Sequence, residues 1–179
     1  VAGPALASAL LLAFLEVAAP GPDTDSCAHT VWARNLAKGT VPQISVDARL
    51  DDCSIYYPNT VPKPLQLFLT TAGELLRGGA AQAVIRIIVA ALAVAAASAT
   101  SRRLAPGNPR AAVYGGLLVG FHPVFVSLAL GGSPSIAFLA LLFSAWPSSA
   151  VLSTLARPEG LIYGSVSLLR SRRPALLIL

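Results

Sequence analysis

The chain is short of charge, of aromatic rings and of cysteine, and it contains no methionine at all. Charged residues make up 12% of the 179 residues, against about 25% in an ordinary water-facing domain. So few charges argue against a surface that faces water on all sides. Aromatic residues account for 7% and no basic face interleaves with them, which excludes nucleic acid as a partner despite the formal net charge of +5. Two cysteines with one nearby histidine are too few ligands, at no recognised spacing, for a zinc site. No Lys or Arg precedes Arg34, so the basic leader of a signal peptide is missing from the first apolar run. With no methionine at position 1, and with the apolar run Pro174 to Leu179 stopping after six residues, the sequence reads as a fragment or as one with a non-standard start.

What is present is apolar and segregated. Hydrophobic residues make up 55% and the mean hydropathy is +0.68. The runs Val1 to Pro20, Ala80 to Thr100, Ala111 to Leu130 (interrupted by His122-Pro123) and Ile136 to Ala156 (broken at Trp146-Pro147) consist mostly of Ala, Leu, Val and Ile. At 1.5 Å per residue, about 20 residues cross a hydrocarbon core of about 30 Å. Arginines cluster at Arg102, Arg103, Arg110 and again at Arg170, Arg172, Arg173, while every aspartate lies between Asp23 and Asp52. The positive-inside rule then puts the arginine clusters on the cytoplasmic side and residues 21–79 outside. The expected fold is all-α: a polytopic transmembrane helical bundle with a large external loop carrying two interfacial helices. It forms one membrane domain over 1–179, with a first helix at 1–20, the loop at 21–79 and the remaining helices at 80–179.

Within the loop, Thr30 to Lys38 places Val31, Trp32, Asn35 and Leu36 near one face, as in a short helix lying on a membrane surface and stopped by Gly39. A second helix is expected over Leu65 to Arg77, ended by Gly78 and Gly79. Cys27 and Cys53 both fall on the side where disulfides persist, and a Cys27–Cys53 bridge is expected on that ground.

The stretch Pro22 to Pro42 concentrates the candidate chemistry. Asp23 and Asp25 are one residue apart, and His29 follows. Paired carboxylates can hold a divalent cation with phosphate oxygens, or one can act as a general base. They are equally what a polar turn with a helix N-cap looks like. In order, the elements are an apolar helix, Asp23, Asp25 and His29, the segment Ala33 to Gly39, the corner Pro62-Lys63-Pro64-Leu65, Arg86, Arg102-Arg103, Pro123, and Arg157-Pro158-Glu159-Gly160. That order resembles the GT-C-type membrane glycosyltransferases, the superfamily of the protein O-mannosyltransferases and oligosaccharyltransferase catalytic subunits, over nearly the whole chain. It departs from them in having no acidic residue between Gly131 and Ser135, and in being only the N-terminal part of such a protein.

The resemblance implies an enzyme of the plasma membrane that moves a sugar from a polyprenyl-phosphate donor to an acceptor hydroxyl on the external face. Asp25, or else Asp23, would remove the acceptor proton, and both are the candidate metal ligands. His29, Arg34, Lys63, Arg86, Arg157 and Glu159 would bind substrate, the cations meeting the departing phosphate. The ion is left open. Two alternatives stand beside it. One is a non-catalytic membrane component or truncated glycosyltransferase-like fragment. The other is a small membrane transporter, for which Glu16 and His122 would have to line the path.

Overall fold

The computed structural model describes residues 1–18, 24–39, 63–77, 79–143, 152–153, 155–157, 159–160 and 162. All described regular structure is helical: α1 (Ala2–Ala18), α2 (Thr24–Ala37), α3 (Pro64–Arg77), α4 (Gly79–Leu104), α5 (Ala111–Gly120), α6 (Pro123–Leu130) and α7 (Pro134–Phe143).

Helix α4 is the axis of the bundle, and α1, α3, α5 and α7 all pack on it. Its 26 residues are rich in alanine, the best helix former. It closes on Arg102 and Arg103, cations that suit the negative end of the helix. Pro106 follows two residues after Leu104, where the chain has already left the helix. The buried side of α4 is narrow: Ala90, Ala93, Val94, Ala97 and Ser98. Of these, Ala90, Ala93 and Val94 join Leu12 of α1, Phe125 and Ala129 of α6 and Ile136 of α7 in one core.

Small side chains let α1, α4 and α5 approach closely. A Cβ placed on Gly116 of α5 would press on the Ser98 hydroxyl and lie 2.7 Å from Pro4 Cβ. A Cβ on Gly120 would lie 3.0 Å from Ser8 Cβ. Ser8 is fully buried and its hydroxyl donates to the Gly120 carbonyl at 3.3 Å.

The all-α expectation agrees with these elements, but the polytopic transmembrane bundle does not. Among the described residues one helix, Ala80–Leu104, is long and apolar enough to cross a membrane. The run Ala111 to Leu130 is not one straight helix: α5 and α6 meet at a 57° bend, and they make a second span only if counted as one across it. The cause is Pro123, which has no N–H to give and whose ring clashes with the carbonyl four residues back. Its predecessor His122 is driven to an extended conformation, φ −66° and ψ 126°, and its Nδ1 accepts the Val124 N–H at 3.3 Å. A second interruption, Gly131-Gly132-Ser133, separates α6 from α7. The interruption at His122-Pro123 was legible in the sequence; the 57° bend it produces was not.

The two helices expected to lie on a membrane surface pack elsewhere. Helix α2 begins at Thr24, six residues before the expected Thr30, so Asp25, Cys27 and His29 belong to a helix rather than to a loop. It pairs with α3, and α3 packs on α4 and touches α7. Trp32 and Ala33, at 2% and 0% exposure, are buried inside the protein rather than turned to an outside surface. Past Ala37, the chain leaves α2 through Gly39 at φ +71°, a conformation glycine adopts without the Cβ penalty.

Candidate functional site

The packing of α2, α3, α4, α6 and α7 leaves a cleft with about 510 Å³ of empty space, counted to its solvent-open mouth. Helix α3 contributes Gln66, Leu69 and Thr70, and helix α4 contributes Gln82, Ile85, Arg86 and Val89. These follow from local periodicity: 66, 70 and 74, and likewise 82 and 86, recur every four residues and so share a helix face. Thr30 of α2, Ala129 of α6, the Gly132-Ser133 turn, and Ile136 and Ala137 of α7 complete the wall.

Polar groups of the wall are braced by the protein. Gln66 Nε2 donates to the Gly132 carbonyl at 3.0 Å, tying α3 to the turn before α7. Thr70 donates back to the Gln66 carbonyl at 2.8 Å. Gln82 donates to Glu74, and the same Glu74 oxygen accepts from Arg34 Nε at 3.3 Å, so one carboxylate joins α2, α3 and α4. At the turn, the Ser133 hydroxyl accepts the Ser135 N–H at 3.3 Å as the cap of α7.

Arg86 is the one charged residue lining the cleft among the described residues. Its Nη2 donates to Glu16 of α1, which stands behind it. Both side chains are largely shielded, at 19% and 16% exposure. Arg86 Nε is fully buried and has no acceptor among the described residues.

Beyond the mouth, Arg157 donates to Ser135 Oγ at 2.7 Å and grips Glu159 with two hydrogen bonds, at 3.2 and 3.0 Å. The Glu159 carboxyl is held below its ordinary range first by a hydrogen bond from its own backbone, then by the charge and hydrogen bonds of Arg157 and the charge of Lys63. Desolvation works the other way and outweighs each contribution of Arg157 taken singly.

The residues singled out in the sequence therefore separate into groups. Arg157 and Glu159 pair, and the charge of Lys63 acts on Glu159 as a lesser influence. Arg34 and Arg86 stand apart, each on its own carboxylate, Glu74 and Glu16. Asp25, Cys27 and His29 lie on α2, but their side chains fall outside the described residues, as do Asp23 and Cys53 altogether. Among the described residues no three His, Cys, Asp or Glu side chains gather as metal ligands. Gln66, Thr70, Gln82 and Glu74 were missed in the sequence, although their four-residue spacing was there to be read.

No family model, no curated protein and no solved structure matches the chain. The resemblance to the GT-C glycosyltransferases is thereby overturned, since it rested on the order of short motifs, none specific alone. With it falls the reading as a sugar-transferring enzyme of the plasma membrane with a polyprenyl-phosphate donor and residues 21–79 outside. That reading needed a multi-span bundle, and the described helices supply one candidate span, or two across the bend. The membrane-component and transporter alternatives fall on the same finding. The two residues the transporter needed are otherwise employed: Glu16 pairs with Arg86, and His122 caps α6.

Proposed function

We propose that this chain is a helical binding module, and that the cleft between α3, α4 and α7 takes a small organic molecule with one polar and one apolar side. The observation that carries this reading is the division of the cleft wall. Leu69, Ile85, Val89, Ile136 and Ala137 offer apolar surface, and Gln66, Thr70, Gln82 and Arg86 offer polar atoms held in place by the bundle. Small-molecule sites commonly have this make-up, mostly apolar with a few fixed polar groups, between helices. A wall braced before binding loses little further freedom when a ligand arrives.

The test is a fragment screen on methyl-labelled protein. Fragments that bind here shift the methyl resonances of Ile85, Val89 and Ile136 together. Leu69→Trp, which fills the cleft from the α3 side, abolishes those shifts. If no fragment moves these methyls, or if the shifts survive Leu69→Trp, the cleft is not a binding site.

A further inference from the structure

Resting on the cleft as a ligand site, we infer that Glu16 determines the charge class of the ligand. With Glu16 behind Arg86, the cleft accepts an uncharged molecule that offers a hydrogen-bond acceptor, such as a ketone or alcohol on an apolar ring, and disfavours an anion.

An arginine in a cleft ordinarily invites a carboxylate or phosphate. Here its charge is already matched. Glu16 takes the Nη2 hydrogen bond, and among the described residues no other charged one lines the cleft to restore an excess of positive charge. The pair is mostly withdrawn from water, where like charges repel strongly because the surroundings screen them poorly. A ligand carboxylate reaching Arg86 would face the Glu16 carboxylate across one guanidinium, after giving up its own hydration. A neutral carbonyl or hydroxyl oxygen meets neither cost and still finds a donor.

Arg86 is the charged donor of the cleft. Thr70 gives its one hydroxyl hydrogen to the Gln66 carbonyl, while Gln66 and Gln82 each direct one of two amide hydrogens at Gly132 and at Glu74. Arg86 carries five N–H bonds and directs one nitrogen at Glu16. Its Nε lies too deep to be reached, so the partly exposed remainder of the guanidinium is what a ligand meets. Glu16 is thus a specificity-determining residue that need not touch the ligand, because it acts through Arg86.

A matched pair of probes, cyclohexanone and cyclohexanecarboxylate, tests this on the full chain, with affinities read from the methyl shifts of Ile85 and Val89. Wild type binds the ketone at least about tenfold more tightly than the carboxylate, tenfold being about 1.4 kcal/mol. Glu16→Gln moves the ratio at least about tenfold toward the carboxylate, while Glu16→Asp keeps the wild-type preference. A wild type that prefers the carboxylate overturns the inference, and that comparison needs no variant to fold. An unchanged ratio in folded Glu16→Gln also overturns it. If other fragments occupy the cleft and neither probe does, the charge rule falls and the binding site stands. If no fragment binds at all, both fall.

Discussion

Single atoms decide how closely the helices of this chain meet. Gly116 has space for a hydrogen and nothing larger, because Ser98 and Pro4 close on it from α4 and α1. In an isolated helix, replacing glycine by alanine gains about 1 kcal/mol. Here the added methyl has to push two elements apart, and overpacking of that kind costs about 1–3 kcal/mol. Gly116→Ala is therefore expected to lower the denaturation midpoint, whereas Gly3→Ala, with open space around it, is not. Glu159 offers a second test at this scale. Its pKa is depressed, so its contribution to stability is present above the unfolded-state value and is lost as pH falls through the lower folded value. The side chain is fully exposed, so the effect on stability is small. The titration midpoint, followed by NMR, lies below the ordinary glutamate value of 4.5. Arg157→Gln raises it only part of the way back, because the largest cause is the backbone hydrogen bond and not the arginine.

Between elements, one carboxylate does most of the tying. Glu74 accepts from Arg34 of α2 and from Gln82 of α4, but the two partners differ in surroundings. Arg34 is 46% exposed, and an exposed ion pair is worth about 0–1 kcal/mol. Gln82 is buried, and a buried amide left without its acceptor costs about 1–3 kcal/mol. Urea denaturation is thus expected to show little change for Arg34→Ala and a clear loss for Glu74→Ala; equal losses would contradict this division. The bend between α5 and α6 rests on His122 in a similar way. His122→Ala removes the acceptor of the Val124 N–H and is expected to cost about 0.5–2 kcal/mol, with His122→Asn restoring most of it.

Around a small core, helices α1 and α4 turn several small and polar residues inward and many large apolar ones outward. Helix α1 shows it best: Pro4, Ser8 and Leu12 are buried, while Leu6, Leu10, Phe14 and Val17 are between 62% and 85% exposed. Helix α4 repeats it, with Ala and Ser inside and Val84, Ile88 and Leu92 outside. An apolar face of this extent does not stay in contact with water. In aqueous buffer without an amphiphile, the isolated chain is expected to elute as species much larger than 18.4 kDa. Leu6→Gln, Leu10→Gln and Phe14→Gln together shift it toward the monomer. Light scattering that finds a clean monomer for the unaltered chain would show that the face is covered by residues of the chain itself.

The sequence by itself determined that the chain is helical and apolar, and where several helices stop, because these depend on neighbours a few residues away. Alanine content, Pro106, Pro123 and the Gly-Gly pairs act locally, and helix α3, Pro64–Arg77, lies within a residue of its expected bounds. Composition could not say whether an apolar run stays straight, and counting runs as spans led to a membrane enzyme that the helices do not build. Only the tertiary structure decided which charges meet. Glu16 and Arg86 are 70 residues apart, and Arg34 and Glu74 are 40. Ion pairing depends on distance through space, which no local pattern encodes. Arginines that looked available for a phosphate in the sequence are each matched to a carboxylate in the fold, and the cleft that Arg86 lines became visible only there.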